Sequence, residues 1–165
     1  MAKDFDDKDF RTVLGKFPTG VVIISAMCDG APEGMTIGAF TSVSLAPPLV
    51  AFLPAKDSVS WPRIRQAGKF TVNILSTAQK DVCLTFAKTS DTKFDGIAWE
   101  MSGHGTPHIA GALAWIDCDQ DQIVDAGDHD IVLGRAVALT RGADAEPLVF
   151  FGGAFHGLGA LGPAG

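Results

Sequence analysis

Hydroxyl side chains and a lysine cluster in residues 56–63, which read Lys-Asp-Ser-Val-Ser-Trp-Pro-Arg. Ser60 followed by Trp61 and Pro62 is typical of a helix start, because serine caps helices and proline suits their first turn. Free backbone N–H groups and the positive end of the helix dipole would then lie beside two hydroxyls and Lys56. These groups predict a phosphate pocket, although an ordinary capped surface helix explains the same pattern.

Two histidines have neighbours that suit ligand contact. His129 lies between Asp128 and Asp130, and adjacent carboxylates favour the imidazolium form, which donates hydrogen bonds to phosphate or amide oxygens. His156 follows Phe155, and such a pair can stack on a planar ring or bond to its edge. An exposed turn histidine and a plain C-terminal tail are the simpler explanations.

Small and hydroxyl residues fill residues 34–45, a segment that otherwise has strand character and ends before Pro47 and Pro48. A strand with so little side-chain bulk leaves its backbone open to close approach by a flat molecule. Serine and threonine there can donate or accept hydrogen bonds as the guest requires. A plain barrel strand explains the composition equally well.

Two metal-binding patterns fail on inspection. Asp117, Asp119, Asp121 and Asp128 match the acidic spacing of a calcium loop, but Gln122 stands where the sharp turn needs glycine. Apolar residues alternate with these aspartates at the period of a strand, so a solvated strand face is the better interpretation. The two histidines that are four residues apart flank glycine and proline in a loop, not a helix. We therefore predict no metal site.

Composition excludes several classes of protein. The net charge of −6 argues against a nucleic-acid partner and against an anionic membrane surface. The chain has no run of about 18 apolar residues, and residues 1–11 are charged throughout, so we expect neither a membrane span nor a secretory signal. The three cysteines, Cys28, Cys83 and Cys118, are an odd number without a CxxC pair, which favours a reducing, cytoplasmic location.

Many short strands and a few helices must position these groups. Strands are predicted at residues 21–27, 34–45, 49–53, 70–75, 112–124, 131–139 and 147–151. Helices are predicted to begin at Asp6 or Asp7, at Ser60 and at Gln79, and a glycine-rich tail follows Phe151. This order favours a mainly β, antiparallel barrel over a βαβ array, and no GxGxxG turn follows a strand. At 165 residues the chain is expected to form one domain, residues 1–165.

Several short motifs, in this order and spacing, match a known family. They are residues 17–21 (FPTGV), 34–36 (GMT), 41–45 (TSVSL), 47–48 (PP), 60–62 (SWP), 70–75 (FTVNIL), Phe94, 111–115 (GALAW) and 127–129 (GDH). Nearly the whole chain resembles the short-chain flavin reductases, the reductase components of two-component flavin-dependent monooxygenases. The resemblance implies a split antiparallel β-barrel of Greek-key type, usually a homodimer with flavin near the subunit interface. It also implies that NAD(P)H reduces FMN or FAD, and that the reduced flavin leaves for a partner monooxygenase.

The resemblance also assigns ligand-contacting residues by position. Those against the flavin ring or its polar edge are Met35, Thr36 and Ser42. Those holding the ribityl and phosphate groups are Lys56, Ser58 and Ser60, and Phe94 helps to close the site. Those at the nicotinamide nucleotide are His129, Phe155 and His156. No catalytic side chain is implied, because hydride passes directly between the cofactors.

The chain departs from the family pattern at two places. Gly38 stands where relatives often carry a polar residue such as asparagine, and Gly152, Gly153 and Ala154 replace a stretch that commonly includes arginine. The missing arginines leave the choices of FMN or FAD, and of NADH or NADPH, open. They also leave open an alternative function, that of a flavin-binding carrier or sensor module with little reductase turnover. A small haem- or metal-binding barrel is a third possibility.

Overall fold

The computed structural model describes residues 4–159. Within this range the strands are β1 (Thr19–Gly20), β2 (Val22–Cys28), β3 (Ala31–Ile37), β4 (Phe40–Leu45), β5 (Pro48–Phe52), β6 (Lys69–Ile74), β7 (Trp99–Met101), β8 (Pro107–Ile109), β9 (Ala114–Ala126), β10 (His129–Arg141), β11 (Val149–Phe151) and β12 (Ala154–His156). The helices of the same range are α1 (Asp7–Leu14), α2 (Trp61–Ala67) and α3 (Lys80–Phe86), with a 3-10 turn at Thr77–Gln79. The predicted mainly β fold with a few short helices is confirmed.

Seven of these strands pair antiparallel in the order β3-β2-β6-β9-β10-β5-β4. A smaller sheet has the order β1-β11-β12, and β7 pairs with β8. Asp29 and Gly30 have φ of 51° and 81°, the left-handed values that a tight β2–β3 hairpin requires. The predicted hairpin is therefore confirmed, as is the long β9–β10 hairpin.

The prediction of one strand over residues 34–45 is wrong, because this segment contributes to two strands. β3 ends at Ile37 and pairs with β2, whereas β4 begins at Phe40 and pairs with β5. The two strands therefore lie at opposite edges of the seven-stranded sheet. The local pattern is continuous across both, but strand partners are set by contacts with other hairpins, which the period of one segment does not encode.

β2 is buried on both faces and separates two apolar cores. Val22 and Ile24 pack in the first core with Phe52. Ile23 packs in the second core with Phe86 of α3. This placement explains why the strand is a continuous apolar run and not an alternating one. The second core supports the pocket described below.

α1 begins as predicted, because the Asp6 carboxylate accepts a hydrogen bond of 2.7 Å from the Asp9 N–H. This helix, which lies wholly within the described range, has no buried residue. Its apolar side chains Phe10, Val13 and Leu14 are exposed. None of the helices within residues 4–159 has the length and apolar composition needed to cross a membrane.

The predicted glycine-rich tail begins as a hairpin. Gly152 and Gly153 have φ of 59° and 82° and turn β11 back into β12. The last residues of the predicted tail, 160–165, and residues 1–3 of the charged N-terminal segment lie outside the described range.

Candidate functional site

A pocket of about 260 Å³ lies between β3, the segment before α2 and the segment after α3. Its lining includes Met35 and the polar or charged side chains of Thr36, Asp57, Ser58, Ser60, Lys88, Thr89 and Lys93. Two ammonium groups and several hydroxyls thus meet at one concave surface. In a protein with a net charge of −6, an anionic ligand needs such local cations, since the overall field repels it. Four predicted flavin contacts, Met35, Thr36, Ser58 and Ser60, come together here.

The predicted capping role of Ser60 is wrong. Its backbone is helical, with φ −77° and ψ −33°, and its side chain makes no cap hydrogen bond. Instead the hydroxyl donates to Glu33 Oε1 at 3.0 Å and accepts from Lys93 Nζ at 2.7 Å. Ser60 is only 3% exposed, and charged partners form stronger hydrogen bonds than a backbone N–H does.

Neither lysine of this pocket was predicted from the sequence, and Lys93 is the buried one of the two. It is 6% exposed, and its Nζ donates to Gly34 O at 3.0 Å as well as to Ser60. Burial lowers the pKa of this ammonium, and the Glu33 carboxylate partly opposes that shift. An ammonium has three N–H donors, so the two acceptors found within residues 4–159 leave one for a ligand. The only available signal in the sequence was that this lysine directly precedes the apolar Phe94.

Gly34 of β3 lets the aromatic ring of Phe86 approach the strand closely. A Cβ added to Gly34 would lie 2.6 Å from Cε1 of Phe86, which lines the pocket. Phe94 packs edge-on against Phe86 with ring centroids 4.8 Å apart. The close approach that glycine permits at this position is therefore made by Phe86, and the predicted flavin contact Phe94 does not itself line the pocket.

Thr36 supports the same wall, because its hydroxyl donates to Cys83 O at 2.8 Å. Ser42, by contrast, is an exposed residue of β4 and does not line this pocket. The structure therefore does not bring Ser42 to the pocket.

Lys56 also lies away from the pocket. Its Nζ donates to Asp125 Oδ2 and to Gly127 O, both at 2.5 Å. These acceptors belong to residues 125–128, here called the β9–β10 turn, which comprise the last two residues of β9 and the two that link it to β10. The predicted phosphate cluster is therefore divided, with its two serines at the pocket and its lysine on the turn.

A second cleft, of about 950 Å³, lies between α1 and the β9–β10 turn, with His129 on its wall. The opposite wall includes the apolar Phe10 and Leu14. His129 Nδ1 lies 2.8 Å from Asp128 Oδ1, and this contact lowers the pKa of the Asp128 carboxyl. The imidazole has a half-exposed position from which it can meet a ligand.

Comparison with known proteins identifies the domain. Residues 14–159 match the family model described as a flavin reductase like domain. The chain belongs to the flavin reductase family. A flavin reductase of Pseudomonas putida is 48% identical over 157 residues, which cover 94% of this chain and 92% of that protein. The reductase subunit HsaB of a flavin-dependent monooxygenase from Rhodococcus jostii is 42% identical over 157 residues, covering 95% and 80%.

A solved flavin reductase has the same fold. The NADH:FAD oxidoreductase SgcE6 of Streptomyces globisporus, in complex with NAD and FAD fragments, superposes with a TM-score of 0.89. It is 37% identical, and the match covers 98% of this chain and 100% of that one. The strand order described above is thus that of the split barrel of flavin reductases, as the resemblance implied.

In this flavin reductase domain, Phe155 and His156 lie on β12, in the smaller sheet. Phe155 packs edge-on against Phe150, with centroids 5.3 Å apart. A ring nitrogen of His156 lies 3.2 Å from Phe151 O. Neither residue lines the 260 Å³ pocket or the cleft at His129, so the three predicted nicotinamide contacts do not meet within one copy of the chain.

The prediction of a solvated acidic face on β9 is wrong for Asp117, which is 3% exposed. Its Oδ1 accepts from Thr71 at 2.6 Å, lies 2.9 Å from His108 Nε2 and accepts from Thr106 at 3.1 Å. Residues 106–108 cover this face of the flavin reductase barrel, a contact that the strand period does not reveal. Burial by itself raises the pKa of Asp117. Hydrogen bonds from Thr71 and His108 lower this pKa by more than burial raises it, so the net shift is downward. No group of three metal-ligating side chains comes together in the part of the chain described.

Proposed function

We propose that this protein is an NAD(P)H-dependent flavin reductase that reduces FMN or FAD and supplies the reduced flavin to a partner monooxygenase. The observation that carries the proposal is the pocket at Met35 and Thr36, whose polar rim holds Ser60 and the buried ammonium of Lys93. When bound, the flavin supplies the chemistry, since it accepts a hydride from the nicotinamide. Membership of the flavin reductase family supports the same activity.

The pocket has the donors that the phosphate end of a flavin needs. Lys93 has one N–H beyond those given to Gly34 and Ser60, and it is held in a buried position where a charge-assisted hydrogen bond is strong. Lys88 and Ser58 also line the pocket. Met35 and Thr36 offer an apolar surface and a hydroxyl to the attached ring system. These residues bind and orient the flavin and give up no proton themselves.

His129 is the residue that we assign to the nicotinamide nucleotide. It lies in the second cleft, beside the apolar Leu53 and Ala39, which suits a ligand that combines a flat ring with phosphates. Hydride transfer requires the two rings in near-attack geometry. His129 therefore acts by binding and orientation. Ser42 and Phe94 stay predictions for the flavin, and Phe155 and His156 stay predictions for the nicotinamide nucleotide.

The competing interpretation, a flavin carrier or sensor with little turnover, is disfavoured because relatives at 48% and 42% identity are named as reductases. Purified protein should oxidise NADH, followed at 340 nm, only when FMN or FAD is added. Running the four combinations of NADH or NADPH with FMN or FAD identifies the preferred pair. Flavin binding without NADH oxidation in all four would contradict reductase function and support the carrier.

We also propose that the protein is a homodimer. β4 is an edge strand of the seven-stranded sheet, and apolar side chains are exposed on β4 and along β10. Leu45 is 95% exposed, and Val43, Val137 and Leu139 are also exposed. An open edge with apolar side chains favours association, and a twofold pair is the commonest form.

The remaining assignments concern the partner, location and domain organisation. A relative named as a monooxygenase reductase subunit supports a partner that receives reduced flavin. The cysteines Cys28, Cys83 and Cys118 are unpaired in the described range, which suits the cytoplasm, where thiols stay reduced. We take residues 1–165 as one functional domain.

A further inference from the structure

Lys56 is attached to the β9–β10 turn by three hydrogen bonds. Its ammonium donates to Asp125 Oδ2 and Gly127 O, both at 2.5 Å. Its main-chain N–H donates to Asp128 O at 2.9 Å. All three acceptors precede His129 in the turn. The Lys56 hydrogen bond also lowers the pKa of the Asp125 carboxyl.

A second set of contacts fixes the residues that follow the turn. The indole N–H of Trp61 donates to Asp130 Oδ2 at 2.8 Å, and the Asp130 N–H donates to Pro54 O at 3.1 Å. Ala55 forms a β-bridge with His129 itself. The segment from Pro54 to Trp61 therefore contacts the chain directly before His129, at His129 and directly after it.

The same segment contributes Ser58 and Ser60 to the flavin pocket. It thus joins the wall of one ligand site to the histidine of the other. Because the two ligands must meet with their rings in contact, the distance between these sites has to be held closely. The contact of this segment with Asp125 is an ion pair, and Lys56 supplies its positive charge.

We propose that Lys56 is a positioning residue, which orients His129 for the nicotinamide nucleotide through the β9–β10 turn, and not a ligand of the flavin phosphate. The inference rests on the proposed function, and it changes the role of Lys56 from a flavin contact to a positioning residue. Two of the three ammonium donors of Lys56 are directed at the turn, whereas the pocket has its own cations in Lys88 and Lys93.

The test compares variants on the two sides of this contact. Lys56→Met and Asp125→Asn each remove the Lys56–Asp125 ion pair, and Lys56→Arg preserves the charge. The Asp125 side chain is 83% exposed, so Asp125→Asn is expected to fold normally. For each variant we would measure the flavin dissociation constant by fluorescence titration, and KM and kcat with NADH.

If Lys56 positions His129, both Lys56→Met and Asp125→Asn raise the KM for NADH about five-fold, with kcat and flavin affinity within about two-fold, as expected for a misplaced binding group. The double variant should be no worse than Lys56→Met alone, because that substitution already removes the ion pair with Asp125. Lys56→Arg should recover part of the loss. Lys8→Met, an exposed lysine of α1 outside both sites, is the matched control for charge.

Two results would overturn the inference. One is a large loss of flavin affinity in Lys56→Met with none in Asp125→Asn, which would make Lys56 a direct phosphate ligand. The other is an unchanged KM for NADH in both variants. A wild-type protein without flavin-dependent NADH oxidation would contradict the proposed function instead.

A readout that needs no activity separates these failures. The ring ¹H–¹⁵N signals of His129 should shift in both variants, while those of His156 stay in place. Unchanged His129 signals would overturn the positioning role even in an active enzyme, and a shift would support it even in an inactive one.

Discussion

The Lys93 ammonium lies 2.7 Å from the Ser60 hydroxyl, which in turn donates to Glu33 at 3.0 Å. All three side chains are buried. They come from the segment after α3, the segment before α2 and β3, so one chain of hydrogen bonds joins the three walls of the pocket.

Ser60→Ala removes the middle of this chain and leaves a buried ammonium and a buried carboxylate underpaired. The free energy of unfolding should fall by about 1–3 kcal/mol. Urea denaturation measures the change, and Ser90→Ala, at an exposed loop serine, is the control. Equal midpoints for wild type and Ser60→Ala would mean that the hydroxyl contributes nothing to stability.

Lys93→Met keeps the apolar stem of the side chain but removes the cation from the pocket. Flavin affinity should fall by about 1.5–3 kcal/mol, the value of a hydrogen bond to a charged group, or roughly 10–160-fold. Fluorescence titration with FMN and FAD measures it. Lys16→Met, at an exposed lysine outside this pocket, controls for net charge. Wild-type affinity in Lys93→Met would place the phosphate elsewhere.

His129→Ala should raise the KM for NADH more than it lowers kcat, because the imidazole binds and gives up no proton to the reaction. Loss of one hydrogen bond to a charged group predicts a rise of about ten-fold or more. Steady-state kinetics with saturating flavin provide both constants, and the flavin dissociation constant serves as the internal control. An unchanged KM would remove His129 from the site.

Asp117→Asn tests the buried network beneath β8. The hydrogen bonds hold the pKa of folded Asp117 below its ordinary value of 3.8, so the charged carboxylate stabilises the fold fully above that pH. The stabilisation is lost as pH falls through the folded value. The variant should therefore lose about 1.5–3 kcal/mol of unfolding free energy at pH 7, and the difference should shrink at pH 3.

Urea denaturation at both pH values measures this dependence, with Asp144→Asn, at an exposed aspartate, as the control. A difference between wild type and Asp117→Asn that is the same at pH 7 and pH 3 would contradict the role of the charge.

Leu45→Glu places a charge on the open edge of β4, where the wild-type leucine is 95% exposed. If this edge forms the twofold interface, sedimentation velocity should show a dimer for the wild type and a monomer for the variant. Leu84→Glu, on the exposed side of α3, should leave the dimer intact. A variant that sediments like the wild type would place the interface on another surface.

Features that depend on neighbouring residues could be read directly from the amino-acid order. The Asp29-Gly30 hairpin follows from residues that tolerate positive φ, and α2 ends at Gly68, whose φ is 71°. The pairing of β9 with β10 follows from strand runs on either side of a short turn. The placement of Ser58 and Ser60 with Met35 and Thr36 came from the family resemblance, which compares whole chains.

Contacts between residues that are far apart in the sequence could not be predicted from local patterns. Whether Lys56 meets the pocket or the turn depends on Asp125, 69 positions away. Lys93 reaches Ser60 across 33 positions, and Thr71 reaches Asp117 across 46. A polar side chain takes the strongest partner that packing brings to it, and packing is a property of the assembled sheet. No local period records which segments will meet, so these partners emerged only in the folded barrel.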